Sequence, residues 1–321
     1  MQKNNVPFIL TIHVEPDERL VRQTDAGWPG FLNLSAYVRA NRARLEDATG
    51  HAARFNWCLR LDPQIAEAFG SADWVLKQHG SVFDHLLSEG DAIGLHVHSW
   101  RPVRRWFRRT WLADYADPDW VEHCIRMAHE HFVAHFGRGP TIMTMGDHYM
   151  SPRAMQVVEA LGIRVDCSMY PGGAPVKGLV KSELTCGMLP DYRATPSRPF
   201  KPSLADFTRP GPQHFRVWEV PVSAGTVRDL KDQTERREKL LLGMMPSWVE
   251  DIIAQNLAHP EPYLYGEART DVRMNPDNRQ RFDWAFDHLA QLGRERGLRF
   301  MTLDEFCDDL DAGVHREADA R

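Results

Sequence analysis

The sequence predicts an α/β fold built around a parallel sheet or barrel. Segments with strand-like and helix-like patterns alternate along the chain, which is the order produced when helices connect parallel strands. The chain has 321 residues, of which 43% are hydrophobic and 26% are charged, a composition typical of a globular protein with a large core. Barrels of this class often exceed about 250 residues as one domain, and no repeat or linker divides the chain. We therefore expect a single domain.

The first predicted strand, residues 8–15, has two unlike faces. Its apolar side chains alternate with polar ones in the two-residue period of a strand. The polar face consists of Thr11, His13 and Glu15. Polar groups are costly to bury unless they are hydrogen-bonded, paired or bound to a metal, so this face indicates a functional role.

The remaining elements follow from the same patterns and from capping residues. Strands are predicted at residues 53–60, 92–96, 163–168, 217–222, 262–266 and 299–301. Helices are predicted at residues 71–88, 118–136, 152–161, 277–296 and from 303 onward. Asp117 and Ser151 each precede a proline at a first helical position, and Thr302 forms a capping box with Glu305.

Two segments lack such patterns. Residues 170–215, the proline-rich segment, show little periodicity, and loops of this length in compact domains tend to be functional or disordered. Residues 313–321 form a polar tail. The expected domain therefore spans residues 1–312 and contains the proline-rich segment as an irregular insertion.

Composition argues against several classes of function. The net charge of -5 gives no general case for binding nucleic acid or an acidic membrane surface. The five cysteines are widely spaced and form no CxxC pair, so neither a thiolate zinc site nor a disulfide framework is indicated. No stretch approaches the roughly 18 apolar residues of a membrane span, and the apolar run at residues 8–12 is too short for a secretion signal. We expect a cytoplasmic protein.

The strongest chemical signal is the pair His96 and His98. A spacing of two on a strand points both imidazoles to the same face, at the strand end where parallel α/β folds place their sites. Two imidazoles with a carboxylate from another strand form a metal site that leaves positions open for water and substrate. Glu15 and Asp17, at the end of the first strand, are the carboxylate candidates. The competing interpretation is an ordinary pair of strand-edge histidines.

Several segments, taken together, resemble the NodB-like polysaccharide deacetylases of carbohydrate esterase family 4. Residues 10–17 (LTIHVEPD) are similar to the first motif of that family. Residues 90–98 (GDAIGLHVH) are similar to its second motif, in the HxH variant of a divergent branch associated with surface-polysaccharide loci. Further similar segments follow in order at residues 56–62, 161–168, 195–203, 218–223 and 300–306.

The resemblance implies a distorted (β/α) barrel of about seven strands that binds one divalent metal, zinc or else cobalt, nickel, manganese or iron. It also implies a hydrolase that removes an acetyl or formyl group from the nitrogen of an amino sugar, in surface-polysaccharide or glycolipid metabolism. The metal would activate a water molecule near neutral pH. Two alternatives stay open: a glycan-binding protein that has lost the chemistry, and another metal-dependent carbohydrate-active enzyme.

The chain departs from the family pattern in its acid and base residues. His13 occupies the position of the family's aspartate base, so it is a base or a further metal ligand. Thr144 stands near the place of a bracing arginine, and Asp147 or His148 is expected to carry the displaced function. The late histidine of the family is also absent, and Arg269 and Asp271 lie in the comparable stretch.

The predicted site residues fall into three groups. The metal ligands are Glu15 or Asp17, His96 and His98. The catalytic residues are His13, Asp147 and Asp271. The substrate-binding residues are Asp62, Arg105, His148 and Arg269.

Arg105 belongs to a stretch, residues 100–111, in which five arginines are interleaved with aromatic residues. Such a stretch could bind a phosphate-bearing glycan, a polyprenyl-phosphate head group or nucleic acid, and the alternative is a solvated helix face. Asp62 either faces the site or is a turn residue before Pro63. The expected partner is a carbohydrate, with a phosphate- or lipid-linked form left open; no nucleic acid is expected, and the sequence does not indicate an oligomeric state.

Overall fold

The computed structural model describes residues 6–21, 27–105, 108–179, 183–229, 231–272 and 274–315. The strands in this part of the chain are β1 (Val6–Val14), β2 (Asn56–Arg60), β3 (Ala92–Val97), β4 (Trp100–Arg105), β5 (Arg108–Asp114), β6 (Ile142–Met145), β7 (Val165–Asp166), β8 (Leu184–Cys186), β9 (Trp218–Glu219), β10 (Ala224–Arg228), β11 (Glu235–Lys239), β12 (Leu264–Arg269) and β13 (Leu298–Phe300). The helices are α1 (Pro29–Thr49), α2 (Pro63–Phe69), α3 (Trp74–Ser88), α4 (Pro118–Phe136), α5 (Pro152–Ala160), α6 (Pro246–Leu257), α7 (Pro276–Arg296) and α8 (Leu303–Asp311).

A curled parallel sheet forms the centre of the fold. Its strands follow the order β12-β1-β2-β3-β6-β7-β9, and β13 pairs with the start of β1. Beyond β9 the chain returns to β12, where the Ser223 N–H donates to the Tyr265 carbonyl at 3.0 Å and the Leu242 N–H donates to the Glu267 carbonyl at 2.7 Å. The predicted α/β fold, a distorted barrel built on a seven-strand path, is confirmed.

The two faces of β1 lie in different environments, as the alternation in its sequence predicts. Phe8, Leu10, Ile12 and Val14 face the helices and belong to the large outer hydrophobic core. Burial of such a side chain stabilises a fold by roughly 1.5–3 kcal/mol, so this face holds the strand in place. The polar face points into the curled sheet, where the hydrophobic cluster around Ile9 fills the opposite end.

The predicted capping residues lie where the sequence places them. The carboxylate of Asp117 accepts hydrogen bonds from the backbone N–H groups of Asp119 and Trp120, both at 3.1 Å. Ser151 caps α5, and Thr302 forms the reciprocal capping box with Glu305 at the start of α8. These caps satisfy N–H groups that the first helical turn leaves without partners.

Residues 100–105 and 108–111 lie in strands, not in a helix. β4 and β5 form an antiparallel hairpin in which Arg101 pairs with Leu112 and Arg104 with Arg109. The helical alternative was therefore wrong. The third strand, β8, pairs with β5 and comes from the distant proline-rich segment. A local pattern cannot show such a partner.

Helix α1 was not predicted from the sequence. Its inward face includes Arg42, a residue that a hydrophobic pattern assigns to solvent. The Arg42 guanidinium is buried because it donates to Asp91 at 2.7 Å and pairs with Glu89 at 2.5 Å. Long-range ion pairing therefore explains why a charged residue lies on the buried face of this helix, beside Phe31, Leu34 and Val38.

The proline-rich segment is largely irregular between residues 170–179 and 183–215, with β8 as its named strand. One part of this segment pairs with β9 through an isolated antiparallel bridge between Phe200 and Glu219. Among the helices described above, none is both long enough and apolar enough to cross a membrane.

Candidate metal centre

The candidate metal centre comprises Glu15, His13, His96 and His98, and it lies inside the curled sheet at the carboxyl ends of β1 and β3. Glu15 directly follows β1, His13 belongs to β1, and the other two imidazoles come from the end of β3. All four residues are buried, with exposed fractions of 1–5%. Since the carboxyl ends of parallel strands share one edge of a sheet, residues distant in sequence meet there.

Thr270, which follows β12, holds the backbone of Glu15. The Glu15 N–H donates to the Thr270 hydroxyl at 2.7 Å, and that hydroxyl donates to the Glu15 carbonyl at 2.8 Å. The strand end is therefore clamped on both sides. This clamp sets the direction in which the carboxylate enters the site.

The donor atoms of the centre converge. Glu15 Oε1 lies 3.6 Å from His96 Nε2, and Glu15 Oε2 lies 3.7 Å from His98 Nε2. The two Nε2 atoms are 3.0 Å apart, and the His13 ring stacks on His96 with centroids 4.2 Å apart. One donor atom each from His13, Glu15 and His96 lies within 4.8 Å of the others.

The hydrogen bonding of these groups fits a divalent cation. Both Glu15 oxygens and His13 Nε2 are buried without a hydrogen-bond partner among the described residues. A buried polar atom that lacks a partner costs about 1–3 kcal/mol, and more if it is charged. Nitrogen and carboxylate donors are the ligands of zinc and of the other first-row divalent metals. The arrangement is therefore suited to hold such an ion.

Cationic side chains keep the central carboxylate ionised. Arg269 Nε lies 3.2 Å from Glu15 Oε1, and Arg60 Nη1 lies 3.8 Å from Glu15 Oε2. Burial alone would raise the pKa of Glu15, but the charge of Arg269, followed by the neighbouring imidazoles, holds that pKa well below its usual range. A carboxylate in this state is competent to bind a metal.

Two of the imidazoles are neutral. Burial, followed by the nearby His96, lowers the pKa of His13 well below 6.5. Burial, followed by the charge of Arg60, lowers the pKa of His98 to about 3. Neutral imidazole is the form that binds metals and accepts hydrogen bonds.

A glycine makes room for His98. A Cβ atom added at Gly146 would lie 2.2 Å from the His98 ring, far inside van der Waals contact. The turn after β6 can therefore pass beside the imidazole only with glycine at this position. The close contact of Gly146 with the His98 ring restricts the movement of the ring on that side.

Asp17 and Asp62 bind backbone N–H groups near the centre, and neither belongs to the described donor atoms that converge there. Asp17 Oδ1 accepts from the Gly30 N–H at 3.0 Å, at the start of α1. Asp62 is fully buried, caps α2 by accepting from the Gln64 N–H at 3.1 Å, and accepts from the His98 N–H at 3.2 Å. Of the two carboxylates considered for the metal, the structure brings Glu15 to the imidazoles.

Asp147 anchors a second polar group beside His98. Its carboxylate binds the Arg19 guanidinium at 2.5 Å and the Tyr115 hydroxyl, and it lies 3.9 Å from His98 Nδ1. Burial opposes ionisation, yet the charge of Arg19 holds the pKa of Asp147 well below its usual range. Asp147 and His148 both have φ of 59°, a left-handed conformation that non-glycine residues rarely adopt. Such strain is found mainly at functional sites.

His148 belongs to a third polar group. Its Nδ1–H donates to the Ser168 carbonyl at 2.9 Å, which leaves Nε2 to accept from the Lys239 ammonium at 2.6 Å. Lys239 also donates to the fully buried Glu267 at 2.5 Å. Burial, followed by the charge of Lys239, lowers the pKa of His148 to about 4. This group lines the inside of the sheet near His13.

Arg269 and Asp271 form a two-point ion pair at the end of β12, with contacts of 3.1 and 2.7 Å. Burial, followed by the charge of Glu15, raises the pKa of Asp271. Arg105 is placed in β4, but its side chain lies outside the described part of the structure, so its role stays a prediction.

The structure thus brings together Glu15, His13, His96, His98 and Arg269, and it places Asp147, His148 and Asp271 around them. Their chemical roles remain predictions. The residues that sequence reasoning missed are Arg19, Trp100, Tyr115, Lys239 and Thr270. Trp100 follows the histidine pair at the same two-residue spacing, and that spacing was the one available signal.

No protein-family model matches the sequence, and no match to a curated protein is found. Solved structures do share its fold. A protein described as a polysaccharide deacetylase from Mycobacterium smegmatis is 10% identical with a TM-score of 0.54, over 100% of this chain and 95% of that chain. A protein described as a glycoside hydrolase/deacetylase from Parabacteroides distasonis is 12% identical with a TM-score of 0.54, over 95% of this chain and 71% of that chain.

A 4-alpha-glucanotransferase from Thermococcus litoralis is also similar, at 12% identity and a TM-score of 0.50, over 96% of this chain and 41% of that chain. The polysaccharide-deacetylase fold that the sequence motifs predicted is therefore confirmed. At these identities the likeness concerns the fold, and one fold can carry several reactions.

Proposed function

We propose that this protein is a metal-dependent hydrolase that removes an acetyl or formyl group from the nitrogen of an amino sugar, in surface-polysaccharide or glycolipid metabolism. The observation that carries the proposal is the buried convergence of His13, Glu15 and His96, in which neither Glu15 oxygen has a hydrogen-bond partner among the described residues. The shared fold and the motifs at residues 10–17 and 90–98 support the same reaction class.

The side chains around the centre would have different roles in amide hydrolysis. Glu15, His96 and a further imidazole would hold the divalent ion, which when bound lowers the pKa of a water molecule and polarises a carbonyl group. Arg269 and Arg60 keep Glu15 ionised and fix its orientation. The low exposure of the cluster excludes bulk water, which strengthens electrostatic interactions inside the site.

Asp271 is the group best suited to supply a proton. An amide nitrogen has to gain a proton as its bond to the acyl carbon breaks, and a carboxyl group with a raised pKa carries one at a higher pH than usual. The pair with Arg269 holds Asp271 beside Glu15. Lys239 and Arg269 provide donors for the hydroxyl or phosphate oxygens of a sugar substrate.

Metal analysis of protein purified without chelators tests the proposal first. We expect close to one equivalent of a divalent metal in the wild type, with loss of the metal in His96→Ala and retention in His51→Ala, which removes an exposed imidazole. Release of acetate or formate from N-acylated amino-sugar oligomers then tests the reaction. A metal content below about 0.1 equivalent with no uptake on titration would overturn the proposal.

One contact favours a second candidate, a glycan-binding protein without catalytic activity. Arg269 at 3.2 Å already balances the charge of Glu15, as it would in a site that needs no metal. The same titration separates the two candidates. Sugar binding with no metal uptake would indicate that the protein binds sugars and does not hydrolyse them.

A further inference from the structure

The hydrogen bond that Trp100 makes to His98 determines where the His98 proton lies. Trp100 is fully buried, and its indole Nε1–H points at His98 Nδ1 over 3.1 Å. An indole nitrogen donates hydrogen bonds and never accepts them. His98 Nδ1 must therefore present its lone pair to Trp100.

Because Nδ1 presents its lone pair to Trp100, the ring proton of His98 lies on the other nitrogen, Nε2. That atom is 3.0 Å from His96 Nε2, which in turn presents a lone pair to it. A ring nitrogen that carries a proton has no lone pair for a metal. Metal-binding histidines show the opposite arrangement, because their second nitrogen donates to a carboxylate or carbonyl.

We propose that His98 is not a ligand of the candidate metal centre but a hydrogen-bond donor fixed by Trp100, and that His13 completes the ligand set with Glu15 and His96. This inference rests on the proposed function insofar as it assumes a metal centre. The tautomer of His98 does not depend on that assumption.

The surroundings of His98 keep the ring in this orientation. The alternative ring orientation would put a C–H group against the Trp100 N–H and leave that buried donor without a partner. Gly146 packs directly against the ring. Asp147, the neighbouring carboxylate, lies 3.9 Å from Nδ1 and is already bound to Arg19 and Tyr115.

His13, unlike His98, has a ring nitrogen that is placed to bind the metal. Its Nε2 is buried and has no hydrogen-bond partner in the part of the chain that the structure describes. Its ring stacks on His96, and it belongs with Glu15 and His96 to the group of donors that converge within 4.8 Å. With the His96 lone pair committed to a metal, the His98 N–H is left facing the centre. It can then donate to a substrate oxygen and orient it.

Cobalt binding tests the ligand set, because Co²⁺ can be followed by absorption and by calorimetry. We expect His98→Gln, which retains an N–H donor, to bind Co²⁺ within about threefold of the wild-type affinity and with unchanged band positions. We expect His13→Ala and His96→Ala each to weaken Co²⁺ binding by more than about 100-fold, the upper limit for changes outside a ligand set. The reverse pattern, with His98→Gln losing the metal and His13→Ala keeping it, would overturn the inference.

Nitrogen-15 chemical shifts of the histidines in the metal-free protein give a second, independent measurement. We expect His98 to show an unprotonated Nδ1 and a protonated Nε2, and we expect Trp100→Phe to abolish this preference and allow the Nδ1-protonated form. A wild-type His98 protonated on Nδ1 would contradict the inference even if cobalt binds. If no variant or wild type binds cobalt but the tautomer is as stated, the proposed metal function fails and the role of Trp100 stands.

Discussion

Two buried carboxyl groups outside the candidate metal centre make the stability of this protein depend on pH. Asp166 in β7 and Glu219 in β9 are fully buried register partners, and one oxygen of each has no donor from another described residue. Their other oxygens accept from the Ser168 hydroxyl at 2.6 Å and from the Met169 N–H at 3.0 Å. The two carboxyl groups also interact with each other, and such a pair shares a proton that belongs to neither residue alone.

Burial is the main cause of the shifted titration. It raises the pKa of Asp166 to about 6 from 3.8, and burial together with the charge of Asp166 raises the pKa of Glu219 well above its usual value. A carboxyl group with a raised pKa in the folded state does not lower the free energy of unfolding at a pH below its unfolded pKa. As the pH rises from the unfolded pKa to the folded pKa, the free energy of unfolding falls progressively.

The magnitude follows from the shift of Asp166. A shift of about two pKa units lowers the free energy of unfolding by about 3 kcal/mol in total, and this loss is complete by about pH 7. Nearly half of this loss falls between pH 5 and pH 7.5. Asp166→Asn removes the charge but retains an oxygen for Ser168. The free energy of unfolding of the variant, relative to the wild type, should therefore rise by roughly 1 kcal/mol or more between these two pH values.

Urea unfolding followed by circular dichroism at pH 5 and pH 7.5 measures this difference. Asp84→Asn, which removes an exposed carboxylate from α3, is the matched control and should show no such change. Comparing the two pH values cancels any constant effect of the substitution. A relative change below about 0.5 kcal/mol for Asp166→Asn would refute the proposed sharing of a proton.

Three further changes test other parts of the structure. His96→Ala should abolish metal binding measured by calorimetry while leaving the circular dichroism spectrum unchanged. Gly146→Ala should lower the free energy of unfolding by about 1–3 kcal/mol, because its Cβ would meet the His98 ring at 2.2 Å, and urea unfolding measures the loss. Lys239→Met should lower the same quantity by about 3 kcal/mol, because it leaves Glu267 buried without its cation, and Glu267→Gln added to it should restore part of the loss.

Each of these changes has a control. Arg236→Met removes an exposed charge from the same strand as Lys239 and should change the free energy of unfolding by less than about 1 kcal/mol. An equal loss of the free energy of unfolding in Lys239→Met and Arg236→Met would show that the buried contact with Glu267 is not the cause of the loss. A stability of Gly146→Ala equal to that of the wild type would show that the turn after β6 can move away from His98.

Most strands of the central sheet, though not β6, and several helices could be predicted because they depend on local patterns. The alternation in residues 8–15 separates the core face of β1 from the site face, and the caps at Asp117, Ser151 and Thr302 mark three helix starts. Helix α1 was not predicted, although Phe31, Leu34 and Val38 lie at helical spacing on its buried face. What the local pattern could not show is the burial of Arg42, which depends on Asp91, a residue of another part of the chain. The addition of β8 to β5 likewise depends on a distant segment.

The sequence by itself determined that His96, His98 and Glu15 would end their strands at one edge of the sheet. It did so because parallel pairing and a two-residue period leave a side chain few directions in which to point. Tertiary structure alone decided how these groups are used. The donor from Trp100, the contact with Gly146 and the ion pair with Arg269 come from separate strands and turns, and they set the proton and the charge of each candidate ligand. Protonation and charge depend on atoms within a few ångströms in space, and the distance along the chain carries no information about them.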